Sequence, residues 1–295
     1  MNSDLRYLLI LGCGYVGERV ARAALTTGIQ VIGTTRSESR ADELRGLGME
    51  AVVVQSPEQL SEELLAQCDA VLDSIPLTRG ESGMCASQLQ WLAQIAPKLL
   101  RLKWAGYLST TGVYGDADGA WVDESWPCNP GSARGRKRLE AEQAWLNSGL
   151  PAEVFRIAGI YGPGRNILPK LRAGGYQAVQ WNPAHYSSRI HVDDIVAALM
   201  AAMQKPRAGR IVNLADDEPL PHADYVVEVA RMLGAPAPDI LSPEAGEKVL
   251  SPTMLDFFRD NKKVSNRLLH VELLERLNYP NFRAGIKAMM SEEGE

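Results

Sequence analysis

A glycine-rich turn near the N-terminus constrains the fold of this chain more than any other feature. The apolar run Tyr7–Leu11 breaks into Gly12-x-Gly14-x-x-Gly17, and apolar residues then recur at helical spacing. In a strand–turn–helix unit, the first glycine permits a tight turn, the second lets the backbone approach a pyrophosphate, and the third lets helix and strand pack closely. The phosphates then lie at the helix N-terminus. The sequence therefore predicts a dinucleotide site, with contacts at Gly12, Gly14, Tyr15, Val16 and Gly17.

Length and charge narrow the class of protein. The chain has 295 residues, enough for one large α/β domain or for a dinucleotide domain with a smaller lobe. Its 31 Lys and Arg against 36 Asp and Glu give a net charge of -5, so no basic field draws it to nucleic acid or to anionic lipid. We therefore expect a small-molecule ligand, no nucleic acid and no membrane partner.

The cysteines and the apolar segments indicate the compartment. Cys13, Cys68, Cys85 and Cys128 show neither Cys-x-x-Cys spacing nor a paired histidine cluster, which argues against structural zinc and fits a reducing environment. No apolar stretch reaches the length of a membrane span, and the first apolar run ends at Gly12 without a cleavage-type signature. We expect a cytoplasmic protein without a metal.

Short β-branched segments alternate with longer amphipathic ones, as in βαβ units that build a parallel sheet. The predicted fold class is α/β, a Rossmann-type doubly wound parallel sheet with a smaller, mostly C-terminal substrate-binding lobe. The predicted dinucleotide domain spans residues 1–160 plus returning segments near 190–215, and residues 161–295 largely form the lobe. The predicted strands are Tyr7–Gly12, Gln30–Thr34, Ala51–Val54, Ala70–Ser74, Ala105–Ser109 and Ala152–Ile157. The predicted helices are Tyr15–Thr27, Ser61–Gln67, Gly83–Leu100, Ser132–Asn147, His191–Gln204, His222–Leu233 and Val264–Leu277.

The end of the second predicted strand indicates which dinucleotide is bound, because it lies beside the adenosine ribose in this fold. It reads Gly33-Thr-Thr-Arg-Ser37, without the acidic side chain that usually pairs with the ribose hydroxyls of NAD. Arg36 can bind a 2′-phosphate and stack on the adenine, with Thr35 and Ser37 as further donors. We therefore predict NADP(H), with NAD(H) as the alternative cofactor and a solvated loop residue as the alternative role of Arg36.

Five further segments resemble a known family. They are Leu108–Asp116, Trp121–Glu124, Phe155–Arg165, Arg189–Ile195 and Val212–Ala215, in the order and approximate spacing of the extended short-chain dehydrogenase/reductases, the NAD-dependent epimerase/dehydratase family. The resemblance covers nearly the whole chain. It implies a Rossmann domain of six or seven strands and a lobe that often binds a nucleotide-sugar. In this fold the fourth and fifth strands also end near the cofactor, so we predict contacts at Ser74, Ile75, Pro76 and Ser109.

The same resemblance implies a catalytic constellation, and here the chain departs from the family. Family members pair a hydroxyl residue after the fifth strand with Tyr-x-x-x-Lys on the next long helix, where the tyrosine exchanges a proton with the substrate. The hydroxyl position falls on Thr110, whereas Arg134 replaces the tyrosine and Arg138 replaces the lysine. Arginine stays protonated, so Arg134 cannot act as the base, although it can bind a carboxylate, a phosphate or a developing oxyanion.

Three interpretations of Arg134 and Arg138 stay open: an anion clamp that polarises the substrate, cofactor contacts in a protein without chemistry, and a solvated helix face. The resemblance implies an NADP(H)-binding oxidoreductase, or a nucleotide-sugar epimerase/dehydratase-like protein, that acts by hydride transfer with Thr110, Arg134 and Arg138 as catalytic candidates. The competing hypothesis is a non-catalytic NADP(H)-binding sensor or scaffold. Both a monomer and a homodimer stay open, because the cations of residues 134–138 charge a helix surface through which family members often dimerise.

Overall fold

The computed structural model describes residues 5–80 and 83–293. The described strands, in chain order, are β1 Tyr7–Leu11, β2 Gln30–Thr35, β3 Glu50–Val53, β4 Ala70–Asp73, β5 Thr78–Gly80, β6 Gly83–Cys85, β7 Trp104–Thr110, β8 Trp121–Val122, β9 Ala152–Ile157, β10 Gly159–Tyr161, β11 Gln177–Val179, β12 Tyr186–Ser187, β13 Arg189–His191, β14 Ile211–Leu214, β15 Leu220–Pro221, β16 Asp239–Leu241 and β17 Lys263–Val264. The described α-helices are α1 Tyr15–Thr26, α2 Glu38–Gly46, α3 Glu62–Gln67, α4 Gln88–Ile95, α5 Ala133–Leu146, α6 Leu168–Arg172, α7 Val192–Gln204, α8 His222–Leu233, α9 Pro243–Val249, α10 Pro252–Phe258, α11 Arg267–Glu272 and α12 Phe282–Glu293.

A seven-stranded parallel sheet forms the framework, in the order β3-β2-β1-β4-β7-β9-β14. The order reverses between β1 and β4, so the carboxyl ends of these two strands border the crevice where open α/β sheets bind ligands. All six predicted strands lie in this sheet with ends within one residue of those observed, and β14 adds the seventh. The predicted Rossmann-type fold is therefore confirmed.

Two apolar layers cover the two faces of the sheet. One contains the buried faces of α1 and α7, and the other contains those of α4 and α5. In the second layer the rings of Trp91 and Trp145, both fully buried, meet edge to face with centroids 6.0 Å apart. Because helices lie on both faces, the strands between them are apolar on both sides, as β1 is from Leu8 to Leu11.

Most residues after β10 form a smaller body beside the sheet. An apolar cluster joins α6, α8 and α12 through side chains such as Leu168, Val226 and Phe282. Short strand pairs hold its loops: β10 with β13, β11 with β16, and β12 with β15. Strand β17 returns to pair with β8. The division at residue 160 stays a prediction, and this last pair crosses it.

The structure corrects two predicted helices. Gly83–Leu100 is not one helix: residues 83–85 form β6, which pairs with β5, and α4 ends at Ile95, since Pro97 lacks the N–H that a continuing helix donates. Val264–Leu277 shortens to α11, because Val264 pairs with β8 instead. Helix α2 is missing from the predictions because only Ala41 and Leu44 are buried in it, which leaves no apolar stripe in the sequence.

Two features are absent from the described residues, a membrane-spanning helix and a cluster of metal-ligating side chains. No helix within 5–80 and 83–293 is long and apolar enough to cross a membrane. In the same ranges, histidine, cysteine, aspartate and glutamate side chains nowhere gather in the groups of three or more that would hold a metal ion.

Candidate cofactor and active site

The glycine turn joins β1 to α1 at the point where the strand order reverses. Gly12 has a φ of +73°, and an added Cβ would lie 2.9 Å from Ile75 Cγ1. An added Cβ at Gly17 would lie 2.9 Å from Ile10 Cγ2. At Gly14 an added Cβ would meet only the Gly12 carbonyl oxygen, at 3.8 Å. The first and third glycines therefore serve the fold, while the second leaves open space in front of the helix.

The start of α1 presents unpaired backbone donors to that space. Glu18 N–H is the first to bond back, to the Gly14 carbonyl at 2.8 Å. The N–H groups of Tyr15, Val16 and Gly17 donate to no described residue. The Val16 side chain is buried, so this residue can offer a ligand only its backbone. Free N–H groups and the positive end of the helix dipole favour an anion here.

The loop after β4 and the end of β2 hold the glycine turn in place. Ser74 Oγ donates to the Gly12 carbonyl at 2.6 Å, and Thr34 Oγ1 accepts the Gly12 N–H at 2.9 Å. The Ser74 hydroxyl, a predicted cofactor contact, is thus bonded to the turn itself. Ile75 packs against Gly12, and Pro76 is exposed beside it. These loop residues border the turn, and their contact with a cofactor stays a prediction.

Arg36 follows β2, where this fold holds the adenosine ribose. Arg36 and Ser37 are exposed, and Thr35 is half-buried. Ser37 begins α2, where its side chain accepts the Arg40 N–H at 3.4 Å, and Arg40 forms an ion pair with Glu18 of α1. The guanidinium of Arg36 has no hydrogen-bond or ion-pair partner among the described residues. It is therefore available to a phosphate, whereas Ser37 is occupied in part by the helix cap.

The start of α5, which carries Arg134, packs against the turn that follows Thr110 at the end of β7. Thr110 is half-buried, and its Oγ1 accepts the Gly112 N–H at 3.2 Å. Gly135 lets α5 approach this turn closely, because an added Cβ would lie 2.8 Å from the Gly112 carbonyl oxygen. Arg134 directly precedes this contact. The close packing thus fixes the backbone at the start of α5 next to the turn after β7. The sequence analysis assigned no role to Gly135.

Arg138 is buried and links three parts of the framework. Its Nη1 donates to the Tyr107 hydroxyl at 2.9 Å, to the Leu108 carbonyl at 3.2 Å and to the Ile75 carbonyl at 3.4 Å. One guanidinium thus joins α5 to the end of β7 and to the loop after β4. Burial raises the pKa of Tyr107, so this phenol stays protonated at neutral pH. The contact of Arg138 with Tyr107 was not predicted from sequence, because it joins residues far apart in the chain.

Ser109 belongs to a buried polar network below the same strand end. Its Oγ donates to the Glu142 carboxylate, and Arg156 donates to both oxygens of that group, from Nη2 at 2.9 Å. The Arg156 guanidinium lies 4.8 Å from the Tyr114 ring centroid, and the Tyr114 hydroxyl donates to Asn213 Oδ1 at 2.6 Å. The Ser109 hydroxyl is thus hydrogen-bonded within the framework. Only the backbone of Ser109 stays available for its predicted contact with the cofactor.

The start of α5 is strongly cationic. Its first turn contains no acidic residue, and the positive end of the helix dipole adds to the charge of the side chains. Arg134 is exposed and has no hydrogen-bond or ion-pair partner among the described residues. Its pKa is lowered, first by partial removal from water and then by the cations of Arg138 and Arg165. Arg134 still carries its charge at neutral pH, because an arginine titrates far above that range.

Known proteins resemble this chain along its length. A family description of the NAD binding domain of D-isomer specific 2-hydroxyacid dehydrogenases matches residues 4–96, and that of the NAD dependent epimerase/dehydratase family matches residues 91–215. Protein YeeZ of Escherichia coli K12 is 28% identical over 245 residues, which cover 79% of this chain and 86% of YeeZ.

Solved structures agree over nearly the full length. A functionally unknown conserved protein from Silicibacter pomeroyi superposes with a TM-score of 0.88 at 38% identity, covering 97% of this chain and 99% of that one. A human epimerase family protein, solved with NADPH, superposes with a TM-score of 0.76 at 17% identity, covering 97% and 99%. The glycine turn, the sheet order and these likenesses together identify an NAD(P)-binding domain. The chain belongs to the NAD-dependent epimerase/dehydratase family, the extended short-chain dehydrogenase/reductases.

Proposed function

We propose that this protein binds NADP(H) and transfers a hydride to or from a small polar substrate, either as an oxidoreductase or in the transient redox step of an epimerase or dehydratase. The observation that carries the proposal is the open space at Gly14, into which the start of α1 presents unpaired N–H groups. When bound, the nicotinamide supplies or accepts the hydride. Gly12, Gly14 and the backbone of Tyr15, Val16 and Gly17 would hold its pyrophosphate.

Arg36 supports NADP(H) over NAD(H). Its guanidinium is exposed and unpartnered among the described residues, and no acidic side chain lies between Thr34 and Ser37 to pair with ribose hydroxyls. A 2′-phosphate would give this cation a doubly charged partner. The human relative solved with NADPH is consistent with this choice.

Thr110 and Arg134 would act on the substrate. Because Thr110 Oγ1 already accepts a backbone N–H, the hydroxyl proton is left to donate to a substrate oxygen. Arg134 would stabilise negative charge on that oxygen as a fixed cation. Arg138 would act as a positioning residue, since its bonds to Leu108 and Ile75 hold the end of β7 and the loop after β4.

A second candidate function is a non-catalytic NADP(H) sensor or scaffold. The observation that favours it is the state of the nearby phenols: the hydroxyls of Tyr15, Tyr107 and Tyr114 are all hydrogen-bonded within the protein. Burial also raises the pKa of Tyr114 to about 12. None of the three is therefore poised to replace the proton donor that the family usually has at the position of Arg134.

The oxidation of NADPH, measured by its absorbance in the presence of a panel of carbonyl compounds and sugar nucleotides, distinguishes an enzyme from a non-catalytic sensor. For any substrate that is turned over, we expect Thr110→Val to lower kcat/KM by roughly 10- to 100-fold, because one hydrogen bond to developing charge is lost. Thr111→Val is the matched control and should behave like the wild type. Saturable NADPH binding without oxidation by any compound would instead favour the sensor.

A further inference from the structure

His270 of α11 faces acceptor atoms with both of its ring nitrogens. Its Nε2 lies 2.8 Å from Asp217 Oδ1, in the loop after β14. Its Nδ1 lies 3.0 Å from the Leu274 carbonyl oxygen and 3.2 Å from that of Glu275, in the segment that follows α11. Carbonyl and carboxylate oxygens accept hydrogen bonds and have no proton to donate. Both nitrogens can therefore bond only if both carry a proton, which makes the ring an imidazolium.

The neighbouring amide of Asn266 has no proton left for the ring. Its Nδ2 lies 3.3 Å from His270 Nε2, but it donates to the Ala215 carbonyl at 3.1 Å and to Asp217 Oδ1 at 2.6 Å. An amide nitrogen carries two protons, and these two acceptors use both. A neutral ring would thus turn the lone pair of one nitrogen toward the Asp217 carboxylate or toward the two carbonyls.

Asp217 supplies the charge that faces the ring. Other charged groups on the adjoining segments are paired, buried or exposed: Glu272 pairs with Arg207 and Arg210, Glu218 pairs with Arg283, Asp216 is buried, and the side chains of Arg267, Glu275 and Arg276 are exposed. Partial burial acts to lower the pKa of His270, but the bonds to Asp217 and to the two carbonyls outweigh it, so this pKa is raised. The direction agrees with the geometry.

The ring lies where three segments meet. Asp217 follows β14, the edge strand of the sheet, and its N–H donates to the Pro280 carbonyl at 2.9 Å. The segment after α11 also reaches α7, because the Tyr279 N–H donates to the Asp194 carboxylate at 3.0 Å. This segment leads into α12, which helps to form the apolar cluster of the smaller body. The bonds of His270 thus tie the chain that enters α12 to the edge of the sheet.

We propose that His270 is a pH-sensitive clasp, which as an imidazolium ties α11 and the segment after it to the loop after β14, and which loosens when the ring loses a proton. Because the folded protein holds this proton more tightly, the stabilisation is complete below the pKa of an unfolded histidine, about 6.5. It is lost as the pH rises through the higher pKa of the folded protein. The clasp is therefore closed in acidic solution and loosened in alkaline solution.

NMR titration of the histidine ring protons in the full-length protein, from about pH 5 to about pH 9, tests the clasp. The chain has 4 histidines, and burial lowers the pKa of His185, His191 and His222. We therefore expect His270 to be the histidine that titrates above about 6.5. The variant His270→Gln assigns its resonance.

Asp217→Asn should lower the titration midpoint of His270, because the carboxylate is lost and the new amide can donate to a neutral Nε2. Glu275→Gln is the matched control. It removes the same charge from an exposed side chain and keeps the carbonyl that faces Nδ1, so the midpoint should stay close to that of the wild type.

Thermal unfolding separates the clasp from simple packing. We expect the Tm of the wild type to exceed that of His270→Gln by roughly 1 to 3 °C near about pH 6, and the difference to disappear near about pH 9. Circular dichroism checks that the variants fold. Three results overturn the clasp: a His270 midpoint at or below about 6.5, a midpoint that is unchanged in Asp217→Asn, and a Tm difference that is the same at every pH.

Discussion

Replacing Gly14 with aspartate is expected to weaken NADPH binding by about a thousandfold while the protein stays folded. The backbone at Gly14 is extended, with a φ of -99°, and an added Cβ meets nothing closer than 3.8 Å, so the substitution itself is unstrained. The new carboxylate would face the cofactor pyrophosphate, and two like charges about 4 Å apart near a protein surface repel by about 4 kcal/mol. Calorimetric titration with NADPH measures the loss, and thermal unfolding checks the fold.

Gly12→Ala is the matched variant on the other side of the turn. Its φ of +73° is strained for alanine, and the added methyl group would lie 3.1 Å from the Ile75 Cα and closer still to Cγ1. We expect a loss of about 1 to 3 kcal/mol in the free energy of unfolding. If Gly14→Asp binds NADPH as tightly as the wild type, the cofactor pyrophosphate does not lie at the start of α1, contrary to the proposed function.

Arg138→Ala is expected to lower the free energy of unfolding by about 2 to 4 kcal/mol. The truncation leaves the Tyr107 hydroxyl and the Leu108 and Ile75 carbonyls without their donor, and a buried polar group without a partner costs about 1 to 3 kcal/mol. Urea unfolding measures the change. Arg136→Ala is the control, since this exposed arginine donates only to the carbonyls of Pro130 and Gly131, which precede α5.

Arg138→Ala also distinguishes a positioning role of Arg138 from direct contact with the cofactor. If Arg138 positions the end of β7 and the loop after β4, Arg138→Lys should recover part of the stability, and NADPH affinity should follow stability across the two variants. Wild-type stability in Arg138→Ala combined with a lost NADPH affinity would contradict this role, because Arg138 would then act by touching the cofactor.

The framework was predictable from sequence because local patterns and the fold agree there. The strand, turn and helix around Gly12 combine a continuous apolar run with a glycine at each crowded position, and the structure reproduces the strand to within one residue. The helix boundaries were harder. Val264 extends an apolar pattern that suits a helix, but it pairs with β8, a strand distant in sequence. The short strands after β10 also depend on partners distant in sequence, so the local sequence pattern predicts them poorly.

The candidate site was likewise predictable where residue type decides the chemistry, and not where a partner distant in sequence does. Residue types indicated that Arg36 and Arg134 could bind anions, because a guanidinium stays protonated and can donate to a phosphate or a carboxylate. The residue types did not indicate that the Ser74 and Ser109 hydroxyls are hydrogen-bonded within the framework. Each bonds to a residue that only the tertiary fold brings close. The position of Arg165 beside the Tyr15 ring is likewise a product of the turn that the Tyr15 hydroxyl holds.

Parallel calorimetric titrations of the wild type and Arg36→Ala with NADPH and NADH decide whether Arg36 selects NADP(H). We expect the wild type to bind NADPH roughly 10- to 100-fold more tightly than NADH, the value of one charge-assisted contact to a 2′-phosphate, and Arg36→Ala to remove this difference while NADH affinity is kept. Tighter binding of NADH than of NADPH, or no binding of either, would contradict this prediction.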